Sequence, residues 1–174
     1  MNFVLSFKHW QVFLVLLVIT TLSSFTIEGN RTLTSILNLA GAILYLLYPI
    51  VLGHALFQLL PEKIDLNYNL FLFNSFIVLS VYSGMAIVFN GESTHFTGLA
   101  ALPVFYFMYA IVHIYLFPAR VLKSIERDSR VGAGECFGAF LLVVFAPIGI
   151  WFLQPRLNKI LENSKIESAA EANA

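Results

Sequence analysis

Charge is what this sequence has least of. Only 11% of its 174 residues are Asp, Glu, Lys or Arg, and the ten acidic and ten basic side chains cancel to a formal net charge of zero. A soluble domain carries about 25% charged residues, so too few are present here to coat a water-facing globule. A nucleic-acid surface, which needs clustered cations to displace counterions, is excluded on the same ground. Disordered chain is excluded because it requires low hydrophobicity. Cysteine is nearly absent too. Cys136 stands alone, which rules out an intramolecular disulfide and any CxxC metal or redox site. It lies where a polar loop meets an apolar run and reads as a small apolar residue at a membrane edge. Acylation of a juxtamembrane thiol is the alternative in a eukaryotic host.

Catalytic spacing is missing as well. The sequence holds no DDxxD, HExxH, G-x-S-x-G or SxxK. The acidic residues nearest the apolar runs are Glu28, Glu62, Asp65, Glu92 and Glu135, all in polar loops and none paired at short spacing. Glu92 with His95 offers two metal ligands at most, short of the three or four that a site needs. No enzyme is expected.

What is present is apolar: 59% of residues are hydrophobic and the mean hydropathy is +0.81. Crossing a hydrocarbon layer of about 30 Å takes about 20 apolar residues. Four runs qualify, at 10–27, 36–60, 70–90 and 98–118, with no charge in their interiors. The loops between them are short and force antiparallel neighbours, so the fold class is all-α: a polytopic membrane bundle of four transmembrane helices. One integral membrane domain covers 1–155, followed by a polar tail at 156–174 whose end reads as frayed or disordered. Lys8 and His9 precede the first run, which continues through Ile27 and reads as an uncleaved signal anchor.

A fifth apolar run, 137–153, is interrupted by Pro147 and Gly149. It is either a short, kinked span or a re-entrant segment, and charge favours the second. If it crosses, Lys8, Lys63, Arg120, Lys123, Arg127 and Arg130 face four basic residues on the other side. If it returns, the tail's Arg156, Lys159 and Lys165 join them and only Arg31 remains outside. The second arrangement places the N-terminus and the basic loop 119–136 in the cytoplasm, in the bacterial inner membrane or an equivalent. Within 118–130, Val121, Leu122 and Ile125 share one helical face among basic residues, as in a helix lying among anionic headgroups or in a charged loop that fixes orientation.

The two outer loops resemble one another. Ile27-Glu28-Gly29-Asn30-Arg31-Thr32-Leu33-Thr34 and Phe89-Asn90-Gly91-Glu92-Ser93-Thr94-His95-Phe96-Thr97 share the order apolar, polar, Gly, polar, polar, Thr, Thr with one insertion. Each precedes a run with one His near its far end, followed by Pro. This suggests a duplicated hairpin with a period near 60 residues, although ordinary turn chemistry produces similar loops. Asn30-Arg31-Thr32 also matches a glycosylation acceptor.

Both copies place a histidine at similar depth, His54 in the second run and His113 in the fourth. Gln58 shares a face with His54 at i+4. Tyr106 and Tyr109 share one with His113, and Asn74 adds polarity to the third run. Ser80 and Gly84 form a small-xxx-small pair suited to close helix approach. Trp10 and Trp151 suit the membrane interface. A satisfied structural histidine is the plain expectation for each imidazole, and core packing for the tyrosines.

The function expected is that of a small non-enzymatic accessory, assembly or regulatory subunit acting through helix contacts, with no cofactor. Its partners would be the bilayer and either another protein or further copies of itself. One alternative is a redox subunit holding haem b or a quinone through His54 and His113. Another is a small oligomeric channel or carrier.

Overall fold

The computed structural model describes residues 7–89 and 98–171. Among them the fold is all-helical, with six α-helices and no strand: α1 His9–Ser24, α2 Arg31–Phe57, α3 Tyr68–Phe89, α4 Leu102–Arg127, α5 Phe137–Val144 and α6 Ala146–Glu171. A 3-10 turn at Gly98–Ala101 leads into α4. Three helices, α2, α3 and α4, are long and apolar enough to cross a membrane.

α1 is shorter than the run 10–27 that suggested it. At 16 residues it reaches about 24 Å. Its end is chemical: Thr20 and Thr21 turn their hydroxyls back to the carbonyls of Leu16 and Leu17, and Ser23 to that of Thr20. Such bonds compete with the helical ladder, and Phe25 leaves in an extended conformation. The loop then turns at Gly29, whose φ is +80°. Asn30 caps α2 by accepting the Leu33 amide at 3.0 Å. The matching second loop, with Glu92 and His95, lies outside the described residues.

Two prolines inside helices, Pro49 in α2 and Pro118 in α4, are both buried. Pro118 does not end its helix, and the helical face read over 118–130 is realised as far as Arg127. α4 continues to Arg127 because Val121 and Leu122 pack into the main core, where they are 0% and 1% exposed. One face of residues 118–127 is therefore buried, while Glu126 and Arg127 remain exposed. α4 stops at Asp128, in the left-handed region at φ 51°.

The fifth apolar run is not one helix. α5 has eight residues, about 12 Å, and Phe145 breaks the chain before α6 begins. α6 folds back so closely that a Cβ on Gly149 would collide with the backbone carbonyl oxygen of Leu142. Both ends of this hairpin meet the same turn of α4. Glu135, just before α5, pairs with Arg127 at 2.6 Å, and Arg156 on α6 pairs with Glu126 at 2.6 Å. The run thus returns to the end it left. The polar segment from 156 on is helical, the continuation of α6 through Pro155 to Glu171, with Leu157 and Leu161 on its buried face.

α4 is the central element, in contact with α2, α3, α5 and α6, while α1 packs between α2 and α6. Close approach occurs where the sequence reading did not place it. A Cβ on Gly41 would lie 2.5 Å from the Ser23 backbone nitrogen, and one on Gly53 2.7 Å from the Phe71 ring. Gly84 has open space around it and Ser80 is exposed, so that pair joins no helices.

Candidate functional site

α2 and α4 are neighbours, which brings the segments bearing His54 and His113 to one region. Between them lies an aromatic stack. Phe57 stacks on Tyr68 at 4.3 Å between centroids, and Phe71 stacks on Phe117 at 4.2 Å. Phe117 also touches His113 (6.2 Å) and Tyr68 (6.2 Å), and Tyr68 touches His54 (5.8 Å). The imidazoles are linked through Tyr68 and Phe117, and among the described residues they make no ring contact with each other.

His54 is fully engaged in its own corner. Its Nδ1 hydrogen-bonds the Tyr68 hydroxyl and its Nε2 the amide of Gln58 at 3.2 Å. The Gln58 bond realises the expected i, i+4 pairing, although Gln58 is exposed and the pair faces a margin of the bundle. Tyr68, absent from the sequence-based set, sits at the start of α3. Asn67, immediately before it, accepts the Leu70 amide at 3.0 Å and fixes where that helix begins. The only signal for it was a Tyr beside a helix start, which does not reveal a partner on another helix.

His113 is half-buried. Its Nδ1 is buried without a hydrogen-bond partner, as is Nδ2 of Asn74. Asn74 is 0% exposed and accepts the Tyr106 hydroxyl at 2.8 Å, a bond that ties α3 to α4. Tyr106 and Tyr109 form the expected stripe with His113, with ring centroids 6.0 and 5.8 Å apart along it. The stripe is not core, however: Tyr106 and Tyr109 are both exposed. Among the described residues this half of α4 has α3 on one side and the 3-10 turn before it, and α2, which packs on α4, buries none of that half's side chains.

As a shared bis-imidazole site the pair does not fit. Ligation needs one free nitrogen from each histidine directed at a common atom. His54 spends both of its nitrogens locally, and two aromatic rings intervene. No group of three or more His, Cys, Asp or Glu gathers among the described residues. Cys136 is buried, and its thiol donates to the Ala133 carbonyl at 3.1 Å. Burial pushes that thiol above its ordinary range, which suits packing and not acylation.

The polar chemistry concentrates at the other side of this core. Asp128 takes Lys63, and Glu126 takes Lys123 at 3.1 Å together with a bidentate Arg156. Glu135 accepts the Gly132 amide at 3.0 Å and Arg127 at 2.6 Å, and these two, the amide first, hold its carboxyl below its ordinary value. The loop 128–136 is thereby pinned to α4. Trp151 packs on His9 at 4.7 Å and on Phe13 at 5.9 Å, joining α6 to α1. No protein family, no curated protein and no solved structure matches this chain.

Proposed function

We propose that the chain is a multi-pass integral membrane protein that works without catalysis, as an accessory, assembly or regulatory subunit, through contacts between its helices and those of a partner or of further copies. The observation that carries this reading is an open apolar face. The second half of α3 and the first half of α4 turn Ile87 (71% exposed), Val88 (73%) and Phe105 (71%) outward together with Tyr109, and Phe76 is exposed earlier on α3. A contiguous face of this kind on a charge-poor chain suits lipid and a partner helix, and does not suit water.

In the proposed topology α1 crosses as a fourth, short span, with local thinning of the bilayer to match it. The N-terminus, Lys63, Arg127 and Lys159 lie on the cytoplasmic side and Arg31 outside. The ion pairs that tie the loop after α2, the end of α4 and the start of α6 support a shared side for those segments. The membrane is the bacterial inner membrane or its equivalent.

A photo-crosslinking residue at Phe76 or Phe105 of the full chain in native membranes tests the subunit reading. Protein adducts at these positions, and not at Phe152, are the expected result. Lipid adducts alone at every position would reject it. Labelling of single cysteines at Arg31, Lys63 and Lys159 tests the topology, and an accessible Lys159 on the outer face would overturn it.

A further inference from the structure

The ion-paired end encloses a cavity of about 550 Å³ where the end of α2, the last turn of α4 and the polar part of α6 meet. That is within the size range of small-molecule sites, roughly 300–1,000 Å³. Its lining has two characters. Leu59 and Ile160 give it an apolar wall continuous with the long helices, and Glu126, Asp128, Arg156 and Lys159 give it a charged one.

The charges do not balance. Glu126 already holds Arg156 and Lys123, and Asp128 holds Lys63. Both carboxylates are thus saturated by cations, while Lys159 has no carboxylate partner among the described residues. Arg156 spends Nε and Nη2 on Glu126, which orients its guanidinium and leaves the Nη1 edge over. The lining itself carries two carboxylates and two cations, but Lys63 and Lys123 pair with those carboxylates from outside it, which leaves Lys159 and one edge of Arg156 to take an anion that carries an apolar part.

We propose that this cavity binds the phosphodiester headgroup of an anionic phospholipid. Lys159 and the Nη1 edge of Arg156 take the phosphate oxygens, and Leu59 and Ile160 lie against the glycerol and first acyl carbons. Arg is suited to this by its planar fork and Lys as a mobile point charge. Glu126 fixes the orientation of Arg156, while Lys159 stays mobile. The inference rests on the membrane reading given above, and its test separates the two.

The full-length chain, purified in mild detergent, is titrated with dioleoyl phosphatidylglycerol and with dioleoyl phosphatidylcholine, and bound lipid is read by native mass spectrometry. Phosphatidylglycerol should be retained preferentially. Lys159→Gln should weaken its apparent affinity about fivefold, the worth of one cation near a lipid phosphate. Lys159→Arg should restore it. Arg130→Gln, an equal loss of charge on an exposed residue outside the cavity, should leave retention unchanged. Equal losses for Lys159→Gln and Arg130→Gln would overturn the site in favour of diffuse surface attraction. Full displacement of the lipid by equimolar inorganic phosphate would overturn the lipid as its occupant. Failure of the membrane reading shows separately, as release of the chain from membranes by alkaline carbonate.

Discussion

From Ala110 to Ser124, α4 buries nine side chains, among them Ile114, Phe117, Val121 and Leu122; from Leu102 to Tyr109 it buries none. α3 mirrors it, with Phe71, Asn74, Ser75 and Val78 buried and nothing buried from Leu79 to Val88. The exposed halves are rich in large apolar residues too, and in α4 the exposed half is the richer of the two. What differs is the company they keep. The α5–α6 hairpin and the end of α2 pad only one end of the pair, so hydrophobicity is common to both halves and burial depends on which neighbours exist. The closed half is where the chain is held together, and the open half is where it can hold something else.

The sharpest way to break this contrast is to add one methyl group to each half. Gly149→Ala places a Cβ against the Leu142 carbonyl and should prevent the hairpin from closing, at a cost of about 3 kcal/mol or more. Gly84→Ala, with nothing within 4 Å, should be neutral or slightly stabilising through its helix propensity. Thermal unfolding in detergent compares the two, and equal midpoints would mean that the hairpin does not close as described.

Removing a ring sharpens the same point. Phe117→Ala deletes a buried partner of Phe57, Tyr68, Phe71 and His113 and should cost about 3–5 kcal/mol. Phe105→Ala in the open half should change stability by less than about 0.5 kcal/mol. Its effect should instead fall on cross-linking to a partner. A large loss of stability for Phe105→Ala would show that the open half is already covered within one chain.

A smaller effect is expected where the halves join. Tyr106→Phe removes the one hydroxyl that bonds Asn74 across α3 and α4, and interhelical bonds of this kind average about 0.6 kcal/mol. A shift in the unfolding midpoint equal to that of Phe117→Ala would contradict it.

The smallest effect is at the loop of the closed end. Glu135 is fully exposed and its carboxyl is held below the ordinary 4.5, first by the Gly132 amide and then by Arg127. A lowered folded value means that the contribution is complete above 4.5 and is lost as pH falls from there through the folded value. Exchange of the Gly132 amide should accelerate over that acid window, and Glu135→Gln should abolish the pH dependence. An unchanged profile in Glu135→Gln would assign it to another group.

Helix identity was legible in the sequence because long apolar runs have one plausible structure when charges are this scarce. Ends were less so. The end of α1 is set by Thr20, Thr21 and Ser23 bonding backward, a competition that hydropathy does not register. The continuation of α4 past Pro118 was readable from the shared face of Val121, Leu122 and Ile125, whereas the burial of Val121 and Leu122 in the main core is tertiary information. The same holds for the polar groups. Gln58 four residues after His54 was readable from helix geometry, whereas Tyr68 on the next helix was not. The break in the fifth run was readable from Pro147, whereas the pairing of Arg156 with Glu126 on α4 was not, because it joins residues 30 positions apart.

The amide of Gln154 donates to the Phe7 carbonyl at 2.8 Å, across 147 positions of chain, and α6 covers the side of α1 that α2 leaves bare. During synthesis α1 and α2 emerge well before α6 is made. Until then α1 can lean only on α2, with Gly41 seated against Ser23 as the latch between them. A defect in α6 would therefore register first as a loosened α1, far from it in the chain.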